Sequence, residues 1–185
     1  NFHVILFASI AAALVTATGN IVNDTFDIDT DKISHQDRVL VLGKISKKEA
    51  WIEYILLNSI AFIISVSLSI KLMLIVLTTI ILLYIYSSTL KKLPLIGNLT
   101  IAFLTGLAFI YGGLAVGNPM SAIVPAVFAF LINFIREIVK DMQDIEGDKT
   151  FGVITFPIKF GFQKSKILIL IITVSLILYT LYPFI

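Results

Sequence analysis

The side chains best suited to chemistry are two sets of three aspartates with identical spacing. The first acidic set is Asp24, Asp27 and Asp31, and the second acidic set is Asp141, Asp144 and Asp148. On a helix that turns about 100° per residue, the members of each set fall within about 60° of one another and form one face. Like charges at these spacings repel one another and need a compensating cation. Because carboxylates and substrate phosphate oxygens are the usual ligands of Mg²⁺, we predict that all six aspartates bind Mg²⁺.

Side-chain amides lie close to both acidic sets. Asn20 precedes Asp24 by one helical turn on the same face, and Asn23 lies at the edge of that face. Asn133 lies two turns before Asp141. An amide can bind a phosphate oxygen, ligate a metal or orient a carboxylate, so we predict a substrate-binding role for these asparagines. The alternative is that they hydrogen-bond to the backbone of a neighbouring helix.

Six carboxylates and a bound diphosphate together carry more negative charge than two Mg²⁺ ions can balance, so basic side chains or a third cation must contribute. We predict that four of them bind the substrate phosphates, namely Arg38, Lys44, Lys91 and Lys140. Arg38 is the strongest candidate, because it lies in the loop after the first acidic set and a guanidinium grips phosphate oxygens bidentately.

The angular test also separates the remaining acidic residues from the two sets. Asp29 and Glu146 project away from the acidic faces, so we expect both to be solvated charges or loop contacts. Glu137 shares the second acidic face. Two roles are open to it: support of the metal site, or an ion pair with Arg136 or Lys140.

Apolar residues make up 58% of the 185-residue chain. Six apolar runs approach the ~20 residues that a membrane-spanning helix requires. They are Phe2–Val22, Trp51–Ile70, Leu72–Leu90, Leu95–Val116, Pro119–Ile138 and Ile167–Ile185. A segment in lipid must satisfy its own backbone hydrogen bonds, and the alternating pattern of a barrel is absent, so the runs are predicted to be helices. The predicted fold class is an all-α, polytopic transmembrane helical bundle.

Threading the six spans back and forth places 13 of the 14 Lys and Arg residues on one side of the membrane. All 12 Asp and Glu residues lie on or near that side, whereas the opposite side receives Lys71 and the uncharged turn at residues 117–121. The positive-inside rule therefore predicts a multi-pass protein of the cell membrane whose acidic sets face the cytoplasm.

The composition narrows the chemistry and the partners further. The chain contains no cysteine, which excludes disulfide bonds, thiolate metal ligands and a cysteine nucleophile. His3 and His35 lie apart from any grouping of metal-ligating residue types. The formal net charge is only +2, and we expect membrane lipids, not nucleic acid, to surround the chain.

Several motifs together resemble those of the UbiA-type intramembrane prenyltransferases. Asn23-Asp24-x-x-Asp27-x-x-x-Asp31, followed by Arg38, resembles the first aspartate-rich motif of that family, and Asp141-x-x-Asp144-x-x-x-Asp148 resembles the second. The segment Tyr86-Ser87-Ser88-Thr89-Leu90-Lys91 resembles the intervening Tyr/Lys motif. The stretch from Arg136 to Asp148, with Thr155-Phe156-Pro157-Ile158, is especially similar to the archaeal digeranylgeranylglyceryl phosphate synthases.

The resemblance implies a nine-span fold, of which residues 1–185 are expected to form a single integral-membrane domain without the first span and the last two. It implies Mg²⁺-dependent transfer of a prenyl group, most specifically geranylgeranyl, from its diphosphate to the free hydroxyl of geranylgeranylglyceryl phosphate in archaeal ether-lipid synthesis. The six aspartates would act as metal-binding catalytic residues. Tyr86 would lie near the reacting carbon, although an ordinary role as an aromatic residue of the membrane interface is equally open to it.

Three other functions are compatible with parts of the sequence. The acceptor of an intramembrane prenyltransferase could be an aromatic quinone precursor or a tetrapyrrole, because the acidic motifs would bind the diphosphate of the prenyl donor and say little about the acceptor. The membrane CDP-alcohol phosphotransferases also use clustered aspartates, but their signature lies in one continuous segment that this chain lacks. A divalent-cation transporter would need polar residues throughout the membrane, whereas the acidic residues here stop at one side.

Overall fold

The computed structural model describes residues 2–181, and the regular elements within that range are all helical. The α-helices of the described range are, in order, α1 (Phe2–Ser34), α2 (Lys47–Leu68), α3 (Ile70–Ser88), α4 (Ile96–Ala115), α5 (Ile123–Gln143), α6 (Ile145–Thr150), α7 (Phe156–Phe160) and α8 (Phe162–Leu181). Six of these helices are long and apolar enough to cross a membrane, while α6 and α7 are short. The predicted all-α, multi-pass membrane fold is therefore confirmed.

The predicted spans match the six long helices, with two notable differences at their ends. The first span was predicted to end at Val22, but α1 continues to Ser34. Hydropathy predicts where an apolar span leaves the lipid, whereas the helix itself continues into the polar residues that follow. The last helix begins at Phe162 instead of Ile167, and residues 182–185 of that predicted span lie outside the described residues.

Packing divides the chain into two compact units. The first unit contains α1, α2 and α3, together with Leu114–Gly117. These three helices pack against one another in all pairs. Thr18 on α1 donates a hydrogen bond to Oδ1 of Asn58 on α2 at 2.8 Å, and both residues are buried. Such interhelical hydrogen bonds between side chains join helices where apolar packing alone gives little preference.

Serine residues define where α2 and α3 begin. Ser46 caps α2, because its hydroxyl accepts from the Glu49 backbone N–H while the Glu49 carboxylate accepts from the Ser46 N–H. This is the capping box that the sequence Ser46-x-x-Glu49 predicts. Ser69 alone separates α2 from α3, and its hydroxyl accepts from the Leu72 backbone N–H. The link is therefore a tight helical hairpin.

The second unit contains Thr89–Gly113 and the described chain from Asn118 onward. Its core is formed by Ala102 of α4, Phe134 and Ile138 of α5, and Ile172 of α8. Helices α4 and α5 approach so closely that a Cβ added at Gly106 would lie 2.9 Å from the carbonyl oxygen of Ala126. The short helices α6 and α7 contact α5, so they fold against the end of the same helix that carries Asp141.

Candidate functional site

The first acidic set lies on one continuous helix, α1, as the spacing predicts. Asp31 is buried, and Asp24 and Asp27 are half-buried. The loop after α1 returns Arg38 to this face, where its Nη1 donates to Asp24 Oδ1 and, at 2.8 Å, to Asp31 Oδ2. One guanidinium nitrogen thus bridges two carboxylates that are seven residues apart on the helix.

Backbone hydrogen bonds shape the loop that carries Arg38. The His35 N–H donates to the Asp31 carbonyl at 2.8 Å, and the Leu42 N–H donates to the Arg38 carbonyl at 2.9 Å. The first bond continues the helical pattern of α1 to His35, and the second closes a turn after Arg38. Lys44, the other basic residue predicted here to bind substrate, is exposed in this loop.

An aromatic cluster holds the acidic part of α1 against α2 and α3. Phe26, between Asp24 and Asp27, lies edge to face with Trp51 at 6.1 Å and with Tyr84 at 5.7 Å between ring centroids. Edge-to-face pairs at such separations stabilise packing beyond the area that they bury. The backbone that presents the first acidic set is therefore fixed by all three helices of its unit.

The other polar residues of α1 have different environments. Asn20 is exposed and Asn23 is half-buried. Asp29 is exposed and forms an ion pair with Lys32 at 2.7 Å, which matches its predicted status as a solvated charge outside the acidic face.

The second acidic set does not lie on one unbroken helix, so the prediction of a single helical face is wrong at this point. Helix α5 ends at Gln143, Asp144 has φ −94° and ψ 9°, and α6 begins at Ile145. This ψ near zero interrupts the helical ladder, although the Asp148 N–H still donates to the Asp144 carbonyl at 2.8 Å. Asp141 therefore belongs to the long helix, and Asp148 belongs to the short helix that follows it.

Asp141 is anchored by Asn98, a residue for which the sequence patterns predicted no role. Asn98, in the first turn of α4, donates from Nδ2 to Asp141 Oδ2 at 2.8 Å, and Asn98 is buried. The available signal was indirect: a buried asparagine at the start of an apolar span requires a hydrogen-bond partner.

The surroundings of Asp148 disfavour the ionised form of its carboxyl group. Burial raises the pKa of its carboxyl group, and the neighbouring charge of Asp144 raises it further. Lys140 and the Thr155 side chain lower the pKa of Asp148. The buried Thr155 hydroxyl nevertheless forms no hydrogen bond of good geometry with any residue that the structure describes. A cation beside Asp148 would favour its ionised form.

The remaining candidates of the second unit divide into paired and exposed residues. Glu137 is buried and accepts a hydrogen bond from Arg136 at 2.6 Å, so of its two possible roles the ion pair is the one observed. Asn133 donates to the Thr105 hydroxyl and thereby links α5 to α4. Lys140, Asp144 and Glu146 are exposed.

Tyr86 belongs to the first compact unit, and Lys91 belongs to the second. Tyr86 is half-buried in the last turn of α3, in the first unit, and Lys91 is half-buried in the 3₁₀ turn Leu90–Lys92, in the second. Ser87, next to Tyr86, is buried, and its hydroxyl lacks a hydrogen-bond partner among the described residues.

Asp24 and Asp31 accept hydrogen bonds from Arg38, Asp141 accepts one from Asn98, and the aspartates of the described range do not form a compact metal cage. Among residues 2–181, no group of three or more His, Cys, Asp or Glu side chains is arranged so that it could hold a metal ion alone. A cation would therefore need oxygen ligands from elsewhere. This fits Mg²⁺, which commonly combines one or two carboxylates with water and substrate phosphates.

Relatives with assigned names match most of the chain. It is 39% identical over 164 residues to the digeranylgeranylglyceryl phosphate synthase of Methanothermobacter thermautotrophicus, covering 89% of this chain and 58% of that protein. It is 42% identical over 165 residues to the synthase of Thermococcus sibiricus, covering 89% of this chain and 59% of that protein. The chain thus spans less than two thirds of the length of these relatives.

Solved structures show the same fold. A structure described as that of a digeranylgeranylglyceryl phosphate synthase in membranes superposes with a TM-score of 0.88 at 35% identity, over 100% of this chain and 66% of the other. A UbiA homologue from Archaeoglobus fulgidus, bound to DMAPP and Mg²⁺, superposes with a TM-score of 0.86 at 24% identity, over 98% of this chain and 66% of the other. At that lower identity the likeness concerns the fold alone.

The family assignment follows from the extent of these matches. The sequence profile of the UbiA prenyltransferase family matches residues 1–185. The described helices carry both aspartate-rich motifs at the positions set out above, Asp24 to Asp31 on α1 and Asp141 to Asp148 from α5 into α6. The chain belongs to the UbiA prenyltransferase family.

Proposed function

We propose that this protein transfers a geranylgeranyl group from geranylgeranyl diphosphate to the free hydroxyl of geranylgeranylglyceryl phosphate, in a reaction that requires Mg²⁺. The observation that carries the proposal is the pair of acidic sets in a chain of the UbiA family that is 36–42% identical to named synthases of this type. The second ether bond of an archaeal lipid would be the product.

The candidate metal ligands in each of the two units have the chemistry that Mg²⁺ prefers. All the candidate ligands are carboxylate oxygens, namely Asp24, Asp27, Asp31, Asp141, Asp144 and Asp148. Asp24 and Asp31 already share one positive charge from Arg38, whereas burial and then the neighbouring charge of Asp144 raise the pKa of Asp148 and disfavour its ionised form. Hard cations with oxygen ligands relieve such charge. When bound, Mg²⁺ supplies positive charge that offsets the charge growing on the departing diphosphate.

Arg38 and the basic residues near the acidic sets would bind the diphosphate. The Arg38 guanidinium has five N–H donors, and one nitrogen is engaged with Asp24 and Asp31, so further donors can reach phosphate oxygens. Lys44, Lys91 and Lys140 would add point charges, and Asn20, Asn23 and Asn133 would add neutral polar contacts. These groups stabilise the leaving group electrostatically as its charge develops.

The bond changes of the proposed reaction balance without a further reactant. The C–O bond between the allylic carbon and the diphosphate breaks, and the diphosphate leaves with the electron pair. The acceptor hydroxyl oxygen then forms the ether bond to the allylic carbon, and its proton passes to the departing diphosphate. Tyr86, at the end of α3, would lie near the allylic carbon, where an aromatic face can stabilise positive charge.

The test is an acceptor panel with the full-length protein in membranes. The protein is incubated with geranylgeranyl diphosphate, Mg²⁺ and one acceptor at a time: geranylgeranylglyceryl phosphate, glycerol phosphate, an aromatic quinone precursor or a tetrapyrrole. Product masses identify what was prenylated. The proposal expects the digeranylgeranyl ether alone, whereas a prenylated aromatic ring or tetrapyrrole with no ether product would contradict the acceptor.

We further propose that the protein lies in the cell membrane with its acidic sets at the cytoplasmic side. The support is the charge distribution, in which 13 of 14 basic residues fall on the side that carries the acidic sets. The orientation decides which compartment must supply the diphosphate substrate.

A further inference from the structure

Asn98 and Asp141 form a buried, direct hydrogen bond between two helices of the second unit. Nδ2 of Asn98 lies 2.8 Å from Oδ2 of Asp141, and the Asn98 residue is 7% exposed. The charges that act on Asp141 include the carboxylates of Asp148 and Glu137, which are opposed by Lys140. The amide of Asn98 therefore donates to a carboxylate that two like charges repel.

Two backbone features, at Leu95 and Gly97, directly precede Asn98. Leu95 has φ 64°, a left-handed conformation that is unfavourable for a residue with a side chain. Gly97 lies directly against the preceding turn, because a Cβ there would be 2.9 Å from the Leu90 carbonyl oxygen and from the Lys91 Cα. Strained backbone of this kind persists where the surrounding structure fixes it, and it is common at functional sites.

We propose that Asn98 is a positioning residue for Asp141: its amide holds one carboxylate oxygen so that the other is presented to the divalent cation. The inference rests on the proposed function, in which Asp141 is a metal ligand. An amide suits the task because it donates a hydrogen bond without carrying charge or titrating. Partners that orient a ligating carboxylate typically contribute 10–100-fold to metal affinity.

Alternative explanations of the bond make different predictions. A bond that only joined α4 to α5 would resemble the one between Asn133 and Thr105, which links the same two helices. Loss of either bond would then weaken the fold to a similar extent, and neither loss would alter metal affinity. Thr105 is therefore the source of a matched control, because Thr105→Val removes an α4–α5 hydrogen bond that does not involve Asp141.

The experiment measures Mn²⁺ binding by electron paramagnetic resonance, with the full-length protein in detergent and without donor or acceptor substrate. Asn98→Ala and Asn98→Leu are compared with Thr105→Val and the wild type, and thermal unfolding without metal is recorded for each. Leucine has the same branched arrangement of side-chain heavy atoms as asparagine, so it tests the loss of the amide without leaving a cavity and serves where Asn98→Ala does not fold. We expect 10–100-fold weaker Mn²⁺ binding for both Asn98 variants and unchanged binding for Thr105→Val.

A double-mutant cycle with Asp141→Asn separates the inference from the proposed function. If Asp141→Asn weakens Mn²⁺ binding and Asn98→Leu adds nothing to it, the positioning role is supported. If Asp141→Asn weakens binding but Asn98→Leu alone does not, the positioning role is overturned and the metal site stands. If Asp141→Asn leaves Mn²⁺ affinity at the wild-type value, Asp141 is not a ligand and the proposed metal assignment fails.

Discussion

Nη1 of Arg38 lies 2.8 Å from Oδ2 of Asp31, whose side chain is only 5% exposed. The same nitrogen donates to Asp24, which lies seven residues, about two helical turns, earlier on α1. The guanidinium therefore provides the counter-charge for a buried carboxylate of the first acidic set. A bound divalent cation would act on the same carboxylates.

Arg38→Gln is expected to destabilise the protein in the absence of divalent cations, because it leaves buried Asp31 without its donor. The expected loss is about 1–3 kcal/mol in the free energy of unfolding, the usual cost of a buried group that loses its partner. Excess Mg²⁺ should recover part of this loss, since it can replace the missing charge. Unfolding is followed with and without Mg²⁺ through the fluorescence of Trp51.

Lys32→Gln is the matched control for Arg38→Gln. It breaks an ion pair with Asp29 in which both side chains are largely exposed, and such pairs contribute little. An Arg38→Gln loss that is no larger than that of Lys32→Gln, or that Mg²⁺ does not reduce, would contradict the counter-charge role.

Asp24→Ala is expected to reduce prenyl transfer by at least about 100-fold, because it removes a proposed ligand of the Mg²⁺ that stabilises the leaving diphosphate, and loss of one stabilising group costs about this much in other enzymes. Asp29→Ala should stay within a few fold of the wild type, since Asp29 points away from the acidic face and pairs with Lys32. Initial rates with saturating substrates provide the comparison. Equal losses in the two variants would refute the division of α1 into an acidic face and solvated charges.

Asp148→Asn is expected to stabilise the metal-free protein at neutral pH and to have little effect in acid. The pKa of Asp148 is raised in the folded protein by burial and by Asp144, so the charged form is disfavoured relative to the unfolded chain. This penalty is full above the folded pKa and absent below the unfolded value of 3.8, so the stability gained from the substitution should grow as pH rises.

Unfolding of the wild type and of Asp148→Asn over a range of pH, in the presence of a chelator, measures this difference. A difference that is constant with pH, or that is larger in acid than at neutral pH, would show that the Asp148 carboxyl group is not strained in the folded protein.

The absence of cysteine allows a direct test of membrane orientation. Lys44 and Lys71 are both exposed, and they lie at opposite ends of α2 within the first unit. Lys44→Cys should react with an impermeant maleimide only from the cytoplasmic side, and Lys71→Cys only from the opposite side. Labelling of both from one side would exclude α2 as a single span, and the reverse pattern would place the first acidic set outside the cytoplasm.

Sequence patterns predicted the helices well because lipid imposes a simple rule: a span must be long, apolar and internally hydrogen-bonded. Hydropathy alone ended the first span at Val22, whereas the spacing of the first acidic set correctly predicted that the helix continues beyond the apolar run. The capping box at Ser46 was readable because it depends on residues only three apart.

The candidate site was predictable in residue type but not in its contacts. Spacing identified both acidic sets and separated Asp29 from the first of them. It could not show the break at Asp144, which depends on a single backbone ψ angle. It also missed the bond from Asn98 to Asp141, because residues so far apart in sequence meet only through the packing of α4 on α5.

The central claim is that the aspartates of both acidic sets are required for binding of the prenyl diphosphate, and calorimetric titration tests it most directly. Geranylgeranyl diphosphate is titrated into the full-length wild type, Asp24→Asn and Asp141→Asn, each with Mg²⁺ present. The claim predicts a large loss of affinity in each variant. Wild-type affinity in either variant would contradict it.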